Sequence, residues 1–134
     1  MEFIELNDAQ CEEIEAGLES YDDQHMPERP EGEISIGIVE NGELIAGADA
    51  CMTAFHICYV STVFVQEEYR RRGVGRKLMA EVEARAKKMG ADTIRLDTFS
   101  WQGKEFYQVL GYEIVGQYAN AKDGYEEFFF LKRV

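Results

Sequence analysis

Between Val63 and Leu78 the chain reads VFVQEEYRRRGVGRKL. A β-prone run passes into a basic turn with two glycines, which then opens a helix. The first amide groups of a helix have no partner within it, and its aligned peptide dipoles leave that end partly positive. Gly73 and Gly75 clear side chains from the place where an anion would approach the backbone. Arg70, Arg71, Arg72 and Arg76 add charge-assisted, potentially bidentate donors. Residue types in this order make a phosphate cradle. The common nucleotide patterns do not describe it. Leu78 stands where the dinucleotide fingerprint G-x-G-x-x-G needs its third glycine, and the Walker and kinase signatures are absent.

The charge distribution points the same way. The 134 residues carry a net charge of −12, yet residues 70–134 hold thirteen of the fourteen bases, eight of them between Arg70 and Lys88. Residues 1–69 contain seventeen acids and one base, Arg29. So acidic a chain disfavours nucleic acid and anionic lipid as partners. A local basic cluster on it suits a compact anionic ligand. No apolar run approaches the roughly 18 residues of a membrane span. The opening MEFIEL places an acid where a signal peptide would carry bases, so a cytoplasmic protein is expected. Cys11, Cys51 and Cys58 form no C-x-x-C pair; they read as small buried hydrophobes, with no disulfide and no metal site expected.

The elements that must position the cradle follow from periodicity. One domain spanning residues 1–134 is expected. Phe3 to Leu6 reads as a first strand, and Asn7 or Asp8 caps a helix whose buried face is Cys11, Ile14, Leu18 and Tyr21. Asp22 to Glu33, with Pro27 and Pro30, reads as a loop. Glu33–Glu40 and Glu43–Thr53 form a hairpin about Asn41-Gly42, and His56–Gln66 runs back as a third strand. Gly73 to Met89 is a long helix with Val74, Leu78, Val82 and Ala86 on one face, ended by Gly90. A strand over Thr93–Phe99, a short helix over Gln102–Leu110, and strands over Tyr112–Tyr118 and Tyr125–Lys132 complete the order β-α-β-β-β-α-β-α-β-β. The long helix crosses over between two parallel strands, giving an α+β fold on a mixed sheet.

These residues resemble the GCN5-related N-acetyltransferases (GNAT). The family's coenzyme A loop, [Q/R]-x-x-G-x-[G/A] at the start of a long helix, is matched by Arg70 to Gly75. Downstream, Phe106-Tyr107-x-x-x-Gly111-Tyr112 is similar to the aromatic-Tyr-x-x-x-Gly-aromatic end of the family's last helix. The resemblance implies a splayed central parallel strand pair with pantetheine in the gap, held by the backbone of Val63, Phe64 and Val65. One N–H there would act as an oxyanion-hole donor. It implies that the N–H groups of Arg71, Arg72, Gly73, Val74, Gly75 and Arg76 hold the pyrophosphate of acetyl-CoA. Tyr107 matches the family's general acid, which protonates the departing thiolate. Ser100 and Gly103 replace an asparagine and an alanine common in the family; Ser100 retains a hydrogen-bonding group for the pantetheine arm.

The reaction implied is acetyl transfer to a primary amine. The acceptor has to lose a proton, and His56, Asp97, Glu33 and Glu68 are the candidates to take it. The acidic first half suits a cationic acceptor, either a small basic molecule or a peptide or protein amine. A homodimer is compatible with the sequence. Two other readings stand beside this one: a catalytically inactive acyl-CoA-binding or sensing module on the same fold, and a basic-loop protein for another phosphorylated metabolite.

Overall fold

The computed structural model describes residues 1–26 and 28–134; Pro27, read above as part of a loop, lies outside them. The order is α1 (Asp8–Asp23), β1 (Glu33–Glu40), β2 (Glu43–Met52), β3 (Ile57–Val65), α2 (Val74–Lys88), β4 (Thr93–Phe99), α3 (Lys104–Val109), β5 (Glu113–Ala119) and β6 (Glu126–Arg133). The six strands form one mixed sheet in the order β1-β2-β3-β4-β6-β5, in which only β3 and β4 are parallel among the described pairs. This is the expected α+β class.

Local chemistry accounts for the elements. Asn41 and Gly42 both take positive φ, 53° and 79°, which is the backbone a tight β1–β2 hairpin requires. Three small residues of β2, Ala46, Ala48 and Ala50, are buried, so α2 can approach the sheet closely and seat Leu78, Met79, Val82 and Ala86. Phe128 and Phe130 of β6 extend the same core past Ile94 and Leu96 of β4. Each of the larger of these side chains, Leu78, Met79, Val82, Ile94, Leu96, Phe128 and Phe130, contributes about 1.5–3 kcal/mol by leaving water. Half-buried Glu83 of α2 ties the far side together: it accepts from Lys132 Nζ at 2.9 Å and from the Tyr112 hydroxyl at 2.9 Å.

The N-terminal arm departs from expectation. Phe3 to Leu6 is not a strand, and Phe3, Ile4 and Leu6 are exposed. The helix forms and Asn7 caps it, in a reciprocal capping box with Gln10 at 2.9 and 3.1 Å. Its apolar face is nevertheless uncovered: Cys11 is exposed and Ile14, Leu18 and Tyr21 are 60–65 % exposed. Helical spacing shows that a face wants covering; it does not say that the chain's own sheet covers it.

Candidate active site: a cleft where two strands part

β3 and β4 are joined at three register positions, Ile57 with Thr93, Cys58 with Ile94 and Tyr59 with Arg95, and then separate. A β-bulge marks the parting. Asp49 of β2 faces Thr62, but the next residue, Ala50, faces Val60, so Ser61 is an extra residue in β3. Its hydroxyl donates to the Asp49 carbonyl at 3.2 Å. A bulge bends its strand and sharpens the twist. β3 therefore swings away while β4 stays paired with β6 through Phe99. The edge of β3 that faces β4 is left without a strand partner from Val60 to Val65.

The gap is a cleft of about 870 Å3, within the range of small-molecule sites. Val63, Phe64, Val65, Arg70, Arg71, Gly75 and Tyr107 all line it, so the structure brings together most of the residues singled out above. At its mouth α2 begins without a side-chain cap. The first amide drawn toward the helix is Lys77, which donates to the Gly73 carbonyl at 3.1 Å. The N–H groups of Val74, Gly75 and Arg76 precede the ladder and remain available to an anion. Arg71 and Gly73 take left-handed φ of 60° and 79°, the turn that delivers the chain to this helix start.

The remaining expected residues are placed differently. Arg72 lies over the Tyr69 ring at 5.6 Å, and Gly73, Val74 and Arg76 border the cradle without lining the cleft. Arg70 turns back, its Nε donating to the Val65 carbonyl at 2.8 Å, and so braces the strand end against the turn. Gly75 also packs closely: a Cβ there would meet the Phe106 ring at 3.0 Å, so the ring would have to shift. Ser100 faces β6, its backbone N–H donating to the Glu126 carbonyl at 2.8 Å and its hydroxyl accepting from the Glu126 N–H. Gln102, which sequence reasoning missed, lines the cleft in its stead and accepts from the Phe99 N–H at 2.8 Å. Trp101 stacks on Phe99 at 4.7 Å and also forms cleft wall.

Tyr107 is 8 % exposed, wedged among Phe106, Tyr112 and Phe130. Among the described residues its hydroxyl has no hydrogen-bond partner. Burial pushes its pKa up to about 12, and the charge of Asp97 adds to that. Of the four candidate proton acceptors, Asp97 alone lines the cleft. His56 lies at the joined end of the parallel pair, its Nδ1 3.1 Å from the Gly90 carbonyl. Glu33 opens the edge strand β1, and Glu68 lies in a 3-10 turn after β3. Asp97 accepts from the Tyr59 hydroxyl at 3.0 Å. Strand alternation puts Asp97 on the face opposite Leu96 and Thr98, both buried. Asp97 and Tyr107 thus address one cleft from opposite faces of the sheet.

The six-stranded mixed sheet with its helices is a fold shared with solved acetyltransferases. The sequence pattern of the Acetyltransferase (GNAT) family matches residues 2–112, and the chain belongs to that family. Acetyltransferase Atu2258 of Agrobacterium fabrum is 27% identical over 127 residues, 92% of this chain and 93% of that protein. The crystal structure of an acetyltransferase from Bacillus cereus superposes with a TM-score of 0.92 at 27% identity, over 100% of this chain and 98% of its own. An aminoglycoside 6'-N-acetyltransferase solved with coenzyme A shares the fold at a TM-score of 0.68 and 20% identity, over 84% of this chain and 77% of that one. Among the described residues no helix is long and apolar enough to cross a membrane.

Proposed function

We propose that the protein moves the acetyl group of acetyl-CoA onto a primary amine by direct attack, within one catalytic domain spanning residues 1–134. The observation that carries this is the placement of Asp97 and Tyr107 on two sides of one cleft that ends at a free helix N-terminus. The N–H groups from Arg71 to Arg76 hold the pyrophosphate, with the Arg71 side chain at the cleft wall. The unpaired backbone of Val63 to Val65 receives the pantetheine arm as an added strand would be received. Coenzyme A in the related aminoglycoside enzyme supports this use of the fold.

When bound, acetyl-CoA supplies the thioester. Asp97 and Tyr59 face the side from which the amine enters, and Asp97 draws a cationic amine into line. The ammonium passes one proton to water before attack, because only the neutral amine has a lone pair. Once the carbon–nitrogen bond has formed, the nitrogen is strongly acidic and Asp97 takes a second proton. As the carbon–sulfur bond breaks, the Tyr107 phenol donates its proton to the leaving sulfur. The raised pKa keeps that phenol protonated throughout the neutral range. The acceptor is a small basic molecule or a peptide or protein amine, because Asp97 and Glu105 place carboxylates at the cleft. Three cysteines free of disulfides suit the reducing cytoplasm, where we place the protein.

The test is release of free coenzyme A thiol from acetyl-CoA across a panel of polyamines, aminoglycosides and lysine peptides, with mass detection of the acetylated amine. Amine-dependent release with matching product supports the reading. Tight acetyl-CoA binding without release by any amine assigns the chain to the non-catalytic acyl-CoA-binding class instead.

A further inference from the structure

Among the described residues, two apolar surfaces of one chain have no partner. The first is the arm, where Phe3, Ile4, Leu6, Ile14, Leu18 and Tyr21 are all at least half exposed. A lone 16-residue helix is marginal in water, and tertiary contact is what normally sustains one. The second is the face of β1–β3 turned away from α2. There Gly37 of β1 pairs with Gly47 of β2, and Gly47 pairs with Phe64 of β3. Two glycines side by side in a sheet sacrifice stability and mark a place where another backbone comes close. They floor a groove of about 410 Å3 that exposed Leu44 and Phe64 help to line. Among the described residues β1 is also a free sheet edge.

We propose that these surfaces cover each other between two copies of the chain: each arm lies in the β1–β3 groove of a partner, forming a homodimer by reciprocal arm exchange. Three observations favour a second copy over the chain's own arm folding back. Arg29 locks the helix to the chain that follows it, its Nε donating to Asp23 at 2.6 Å and its Nη2 to the Glu19 carbonyl at 3.0 Å. Beyond it Gly32 is anchored, its carbonyl accepting from the Met52 N–H at 2.9 Å, and the Met89 side chain leaves no room for a Cβ there. The superposition on the Bacillus cereus crystal structure also extends over the outward arm.

Charge selects the mode of pairing. Seven acids and no base lie in Asp8–Asp23, so two such helices repel one another. At the groove's margin stands Arg70, over the Phe64 ring that lines it, and Asp49 is the one acid in the lining. The six arm side chains, at roughly 100 Å2 or more apiece, approach the ~800 Å2 that one partner commonly contributes to a stable interface. Thr62 and Phe64 line both the groove and the catalytic cleft, so a docked arm would also wall the acceptor's entrance.

The experiment is light scattering of the full chain at about 10 μM, repeated with Ile14→Glu in the arm and Leu44→Glu in the groove, both exposed positions outside the catalytic machinery. The expected result is twice the 15.3 kDa chain mass for the unaltered protein. Each variant should weaken dimerisation by about 100-fold or more and keep its circular dichroism. In a mixture of labelled and unlabelled chains, Ile14 and Leu18 methyl contacts to Leu44 should run between chains. A monomer, a dimer indifferent to both substitutions, or arm-to-groove contacts within one chain would overturn the proposal.

Discussion

The Tyr59 hydroxyl donates to the Asp97 carboxylate at 3.0 Å just beyond the last position where β3 and β4 are joined. The hydrogen bond spans the strands at the root of their separation and fixes the carboxylate at the apex of the cleft. Removing the charge while keeping the shape tests its role. Asp97→Asn should lower kcat/KM for the amine by about 10²-fold or more, while acetyl-CoA affinity measured by calorimetry stays within about twofold. Tyr59→Phe, which frees the carboxylate, should give a smaller loss in the same parameter. An unchanged kcat/KM in Asp97→Asn would remove this carboxylate from the reaction.

Tyr107 should behave as a proton donor rather than as core packing alone. Tyr107→Phe keeps the ring among Phe106, Tyr112 and Phe130 and deletes only the hydroxyl. Turnover should fall by about 10²-fold or more, with acetyl-CoA affinity retained. Because the phenol titrates near 12, the unaltered enzyme should lose no activity to Tyr107 ionisation as pH rises from neutral toward 10. An alkaline decline below pH 9 that Tyr107→Phe abolishes would contradict this.

The same phenol couples stability to pH. An unfolded tyrosine ionises near pH 10, whereas burial holds Tyr107 neutral to about 12. Burial and the carboxylate of Glu83 raise Tyr112 as well. A group whose pKa is raised on folding contributes its full stability below the unfolded value and loses it as pH climbs through the folded one. Unfolding free energy should therefore fall between pH 10 and 12, with Tyr107 accounting for up to about 2–3 kcal/mol. Urea titrations should show a shallower fall for Tyr107→Phe over that interval. An equal slope in the two proteins would show that the phenol is not buried as described.

What was legible in the sequence followed from how local the signal was. Val63 to Leu78 is a contiguous strand, turn and helix start, so its geometry could be read directly, and the hairpin at Asn41-Gly42 likewise. The choice of Asp97 over Glu33, Glu68 and His56 depended on the sheet register and on the bulge at Ser61, which long-range pairing sets. Ser100 and Gln102 lie two residues apart, and the turn between β4 and α3 decides which reaches the cleft. Its place in the basic turn marks Gly75 as clearance for an anion, whereas the ring beside it comes from Phe106, thirty-one residues on. The apolar face of α1 was visible from its spacing, but spacing is silent about which surface meets it.

The Glu83, Tyr112 and Lys132 cluster should stabilise the fold that carries Tyr107. Glu83→Ala strands a half-buried ammonium and a phenol at once, and should cost about 2 kcal/mol. In thermal unfolding that is a loss of roughly 5–10 °C. Replacing both charges, Glu83→Leu with Lys132→Met, should cost less than Glu83→Ala, because no lone charge is left behind. A double variant less stable than Glu83→Ala would assign the cluster a different role.

The central claim is that the start of α2 and the separated edge of β3 grip acetyl-CoA between them. Titration of 15N-labelled protein with acetyl-CoA, followed amide by amide, tests this directly. The largest shifts are expected at Arg71 to Arg76 and Val63 to Val65, with little change at His56 or along β5. Saturable binding whose shifts spare both segments would contradict it.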